Sequence, residues 1–183
     1  MIRIHNFKLG VYEYHTRGKQ NIYPDLKNCP QKDCLYSGRL WHHGFYSRNA
    51  IGLKGFYRIY IKRYRCPYCG HTVSLLPNFL APHFQYTLLA IFTCLHALGV
   101  LEKTLKQAAD STGIYSMGYQ HAAFYRNRLL ENKNLCLSVL FGLGITNKKP
   151  FISFWAEQVE QLDVKYFALE FKKRWDRSFL SLS

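Results

Sequence analysis

The 183-residue sequence predicts an α+β fold, a small β ribbon first and helices after it. Three observations predict it. Four of the six cysteines fall in two short hooks, Cys29-Pro30-Gln31-Lys32-Asp33-Cys34 and Cys66-Pro67-Tyr68-Cys69-Gly70. Between the hooks, aromatic and β-branched residues alternate with basic ones, as in strands. Beyond Pro82, apolar residues recur at helical spacing.

Residues 1–28 read as a polar arm. Met1 to Tyr14 holds one or two short strands broken at Gly10, and His15 to Asn28 is a loop rich in Lys, Gly, Asn and Pro. The hooks then carry the chemistry. A structural zinc ion takes a closed tetrahedron of thiolates, and two Cys-Cys turns supply two ligands each. Cys29, Cys34, Cys66 and Cys69 are therefore the expected ligands of one structural zinc. Gly70 follows the second hook, where a turn can need positive φ. A disulfide is the competing reading. The N-terminus lacks the long apolar core of a secretory signal, which argues against it. With four thiols filling the tetrahedron, His42, His43 and His71 are not needed as ligands.

Leu35 to Tyr46 and Phe56 to Arg65 read as strands, with Asn49 to Gly55 as the turn. Along the second strand Tyr57, Ile59 and Ile61 point one way. Arg58, Tyr60 and Lys62 point the other. One face covers a small core and the other presents charge and rings to a partner. So small a sheet buries little apolar surface, so metal binding supplies a large share of its folding energy. Pro77 and Pro82 end the ribbon.

From Phe84 or Gln85 to Leu98 the pattern is helical, with Gly99 as its stop. Glu102 to Thr112 is a second helix. Gly113 to Ser116 is a tight turn, and Ser116 is the expected N-cap of a helix from Met117 to Asn132. Small Ala109 and the following glycine match a helix-turn-helix; an ordinary helical corner is the alternative. On the second helix, Gly118, Ala122, Tyr125 and Leu129 face inward. Gln120, His121, Phe124, Asn127 and Arg128 face outward, and Gln, Asn and Arg are the types that read adenine and guanine edges. Arg126, beside them, suits a phosphate. Leu135 to Gly144 is an apolar helix or turn, Ile145 to Pro150 a linker, and Ser153 to Ser178 a terminal helix. Its Glu157, Glu160 and Asp163 form an acidic stripe. Cys94 and Cys136 sit in apolar runs as small buried hydrophobes.

The full expectation is thus a small β zinc ribbon, then an α-helical helix-turn-helix domain, then a C-terminal helix. The expected divisions are an arm over 1–28, a ribbon over 29–82, a helical domain over 83–134 and a C-terminal helical segment over 135–183.

The formal net charge of +14 favours a polyanion as partner, nucleic acid first and an anionic membrane surface second. No acidic residue lies between Asp33 and Glu102. Arg39, Arg48, Lys54, Arg58, Lys62, Arg63 and Arg65 fall in that interval, interleaved with tyrosines. A surface evolved only for solubility mixes both signs. The apolar run Tyr86 to Val100 is too short to span a membrane. A cytoplasmic protein, nucleoid-associated when bound to DNA, is the expectation. A nuclease of the transposase type needs clustered carboxylates around two metals. Only 11 acidic residues are present, and those after the ribbon fall mostly at helical surface spacing. The chain reads as a binding protein without a catalytic domain.

Four stretches carry a resemblance: Cys29-Pro30, His43-Gly44-Phe45-Tyr46-Ser47-Arg48, Arg63 through Thr72, and Ser74-Leu75-Leu76-Pro77. They resemble transposase-type zinc ribbons, in particular a bacterial family of short zinc-ribbon proteins known only as a domain of unknown function. The resemblance spans residues 29 to 86, and the helix-turn-helix half agrees more loosely. It implies the four cysteines as zinc ligands, transposon-end or other double-stranded DNA as partner, and a transposase or other mobile-element protein as companion. It implies no reaction. An RNA-associated protein whose tyrosines stack unpaired bases, and a protein-binding scaffold, are the other two classes open to this sequence.

Overall fold

The computed structural model describes residues 1–146 and 149–181. It is a mixed α+β structure with a four-stranded sheet and, among the described residues, seven α-helices. Two compact units form: Met1–Ala50 with Phe56–Gln85, and Ile51–Gly55 with Tyr86–Ser183.

In the first unit the strands are β1 (Ile2–His5), β2 (Trp41–Gly52), β3 (Gly55–Arg65) and β4 (Thr72–Pro77), in sheet order β1-β4-β3-β2. β3 and β4 are antiparallel, with Lys62 opposite Leu75 and Tyr64 opposite Val73. β1 runs parallel to β4, Ile2 opposite Ser74 and Ile4 opposite Leu76. Residues 1–28 are therefore not a free arm but part of the sheet unit. β1 takes the free edge of β4, whose backbone would otherwise lack partners. The helix α1 (Val11–Arg17) puts Tyr14 into the core beside Ile59, Ile61, Leu76 and Phe79. The Tyr14 hydroxyl donates to the Tyr60 carbonyl at 2.9 Å, and His15 Nδ1 lies 2.9 Å from the Arg58 carbonyl. α1 thereby serves β3 backbone beyond the stretch, Lys62–Arg65, that is paired with β4.

Alternation along the strands places Tyr64, Val73 and Leu75 on the opposite face from Ile59, Ile61 and Leu76. They form a second core with Leu26, Leu40, Cys34 and Cys66. The hairpin turn is tighter than the expected Asn49–Gly55. β2 continues to Gly52 and only Leu53 and Lys54 lie outside the strands.

The second unit is helical: α2 (Leu88–Gly99), α3 (Leu105–Asp110), α4 (Tyr119–Glu131), α5 (Lys133–Gly142), α6 (Phe151–Leu162) and α7 (Val164–Trp175). The Thr87 hydroxyl caps α2 by accepting from the Ala90 N–H at 3.3 Å, which starts the helix later than expected. Thr104 and Gln107 form a capping box that delays α3 in the same way. Its core centres on Trp155, whose ring meets Phe92, Phe167 and Phe179. The expected single terminal helix is two. Asp163, at φ 69, breaks it, and its carboxylate accepts from the Lys165 N–H at 2.6 Å to begin α7. The acidic stripe is paired: Glu157 with Lys149, Glu160 with His96 and Asp163 with Lys165. Residues 147 and 148 of the expected linker lie outside the described residues. Among the described residues, no helix is long and apolar enough to cross a membrane.

Candidate metal centre

Each hook is a turn closed by its own backbone. In the first, the Cys34 N–H donates to the Gln31 carbonyl at 3.0 Å, and the Cys29 N–H to the Tyr36 carbonyl at 3.2 Å. In the second, the Gly70 N–H donates to the Cys66 carbonyl at 3.0 Å and the Cys66 N–H to the His71 carbonyl at 2.9 Å. Gly70 has φ +75, a left-handed conformation that a side chain resists. The hooks meet because Cys66 directly follows β3 and Cys34 packs with it in the second core.

All four sulfurs lie within 4.8 Å of one another. Across the hooks, Cys29 Sγ is 3.6 Å from Cys69 Sγ, and Cys34 Sγ is 3.8 Å from Cys66 Sγ. A metal–sulfur bond of about 2.3 Å in a regular tetrahedron gives sulfur edges of about 3.8 Å. The cluster is thus sized to hold a metal ion. Backbone amides support the same chemistry. The Gln31 N–H faces the Cys29 sulfur, and the Tyr36 N–H faces Cys34. Burial pushes the Cys29 thiol up to about 12. Burial also raises Cys66, but the Cys69 and Tyr68 N–H groups aimed at its sulfur, together with the Cys69 and Cys29 thiols beside it, outweigh it and hold that thiol at about 7. A thiol poised near neutrality loses its proton readily to a metal. Cys34 and Cys66 are buried, whereas Cys29 and Cys69 are half-buried.

Residues 29–115 match the model of a family described as a domain of unknown function, DUF6431. The matched segment holds all four cysteines, the β2–β3 hairpin, α2 and α3, and stops before α4. No curated protein and no solved structure matches the chain.

Cys94 and Cys136 are buried in the helical unit and are not members of the cluster. Burial raises both thiols, Cys94 to about 11.

The basic candidates divide. Arg58 and Arg65 are exposed on β3, and Lys54 is exposed in the hairpin turn. The other four are engaged within the protein. Arg39 pairs with Asp25 at 2.8 Å. Arg48 donates to the Ala81 carbonyl at 3.1 Å and the Phe84 carbonyl at 2.6 Å, and burial lowers its pKa. Lys62 does not face solvent as the strand alternation implied. It is 7% exposed, because Phe45 and its neighbour Tyr23 close over that end of the sheet face. Arg63 is half-buried, 3.5 Å from the Thr72 hydroxyl.

On α4, Ala122, Tyr125 and Leu129 are buried and Gln120, Phe124 and Asn127 exposed, as the periodicity predicts. His121 is half-buried and its Nδ1 accepts from the Gly118 N–H at 3.2 Å, so it serves the helix start. Arg128 pairs with Glu131 at 3.1 Å and lies 5.0 Å over the Phe124 ring. Arg126 is half-buried. Gly118, not Ser116, caps α4; the Ser116 carbonyl instead accepts from the Tyr86 hydroxyl at 2.7 Å. Sequence reasoning placed Tyr60 on the outward face beside Arg58 but missed exposed Phe56. The alternation that marked Arg58 and Tyr60 as outward marks Phe56 as well.

Proposed function

We propose that this chain is a DNA-binding protein whose basic β unit is held by one structural zinc ion. Charge placement carries the reading. The first unit holds twelve Lys and Arg against three acids, Glu13, Asp25 and Asp33. Among the described residues, it has one Lys/Arg–carboxylate pair, Arg39–Asp25, while the helical unit has five. A cationic surface left without internal counter-charges is suited to a polyanion, whose condensed counterions it releases. Four thiolates at tetrahedral spacing select zinc over harder ions.

α3 and α4 supply the reading element in this proposal. Buried Ala108 and Ala109 let the two helices approach closely, and Gly113, at φ +67, turns the chain between them. The connection, residues 111–118, is longer than the three or four residues usual in a helix-turn-helix. Exposed Gln120 and Asn127 are the base-reading candidates. The resemblance to transposase-type ribbons makes a mobile-element setting the best fit, as a binding module without its own catalytic domain. A salt titration of the metal-loaded chain on random duplex, followed by selection from a random-sequence pool, tests this. Binding should weaken linearly in log salt with a slope of several units. Absence of duplex binding at low salt overturns the reading.

A further inference from the structure

The outer face of the β2–β3 hairpin changes character along its length. At one end it is closed: Lys62 lies under Phe45, and Phe45 meets Tyr23. Toward the turn it is open. Phe56 is 60% exposed, Tyr60 is 37% exposed, and Arg58 stands exposed between them on the same side of β3. Arg58 donates to the Ser47 hydroxyl at 2.9 Å, which holds the guanidinium on this face. The Lys19 ammonium lies 5.1 Å from the Tyr60 ring centre. The opposite face of the same strand, through Ile59 and Ile61, is buried in the core. The open rings are therefore carried on a rigid, well-anchored strand.

We propose that Phe56, Arg58 and Tyr60 form a stacking surface for unpaired nucleotides. Two exposed rings about 13 Å apart along a strand, with a guanidinium between them, offer three flat surfaces in a row. Bases stack on aromatic and guanidinium planes without regard to sequence. A base inside a duplex presents only its edges, so these rings engage strands whose bases are splayed out. The occupant is a nucleic acid and not an apolar peptide because of the surrounding charge. Arg58 and Lys19 stand beside the rings, in a unit with twelve basic residues and three acids. The inference rests on the polyanion reading above but needs neither α3 nor α4.

The test uses the full metal-loaded chain, a short oligothymidine, its oligouridine counterpart and a random duplex of equal length. Affinities come from fluorescence anisotropy at fixed salt. Phe56→Ala and Tyr60→Ala should each weaken single-strand binding by about fivefold or more. Both should leave duplex binding unchanged, and Tyr60→Phe should retain wild-type affinity. Metal content and the thermal transition of each variant show that the fold is intact. Preference for oligothymidine or oligouridine separates a DNA strand from an RNA strand, and either supports the surface. Equal loss on single strand and duplex, or no single-strand binding by the wild type, overturns it. Duplex binding that survives that outcome leaves the DNA-binding reading standing.

Discussion

The Lys62 ammonium lies 4.4 Å from the centre of the Phe45 ring. Its long stem is buried in the sheet face, and burial lowers its pKa. Lys62→Met should therefore leave duplex affinity unaltered and change stability by less than about 1.5 kcal/mol. The pH signature follows from linkage. The unfolded chain keeps this proton up to about pH 10.4, and the folded chain releases it earlier. Between those two values wild type gains stability as pH rises, relative to Lys62→Met. Chemical denaturation of both proteins across that range measures the difference.

The thiol cluster predicts one metal ion per chain. Cys66→Ser or Cys69→Ser should lose it, together with the cooperative unfolding of the first unit. Cys94→Ala and Cys136→Ala should keep it, with stability lowered by about 1–2 kcal/mol through lost packing. Elemental analysis of each purified variant decides. Full metal content in Cys66→Ser refutes the assignment.

Tyr14 is buried, and that burial, with nearby tyrosines, raises its pKa well above the usual tyrosine value. A raised folded pKa means that the stabilisation is complete below about pH 10, where the unfolded tyrosine is still protonated. It is lost as pH climbs above 10. Tyr14→Phe removes the hydrogen bond to the Tyr60 carbonyl and should cost about 1 kcal/mol at neutral pH. Its stability should then fall less steeply than wild type above pH 10. Urea titrations at neutral and alkaline pH compare the two.

Holding and reading should separate by mutation. Arg58→Ala and Arg65→Ala should weaken binding to every duplex and flatten the salt slope by about one unit each. Gln120→Ala and Asn127→Ala should lower the ratio of selected to random binding by about 1–3 kcal/mol per lost bidentate contact. Arg128→Ala also breaks the pair with Glu131, so its melting curve must accompany its affinity. If Gln120→Ala and Asn127→Ala weaken both affinities equally, α4 only holds phosphates.

The thiol cluster was legible because its chemistry is local: two short hooks carry all four sulfurs. The buried face of α4 was legible for the same reason, since helical periodicity needs no partner to be seen. Lys62 shows where such patterns stop. Alternation tells which face a side chain takes but not what covers that face, and the cover here comes from Phe45 and Tyr23. β1 was read as part of an arm because its partner lies about seventy residues away. The break at Asp163 had no glycine or proline to mark it, and only the backbone conformation reveals it.

The parallel pairing of β1 with β4 sets an order of events during synthesis. Ile2–His5 leaves the ribosome before its partners Ser74–Pro77, which follow only after the whole hairpin. At about 5–20 residues per second the delay is roughly 4–14 s. For roughly 2–6 s of that interval, while the chain between Cys34 and Cys66 is made, Cys29 and Cys34 are already out and Cys66 and Cys69 are not. A nascent chain thus carries a half-formed thiol pair and an unpaired strand edge together, which makes it briefly vulnerable to oxidation and to pairing with a neighbour.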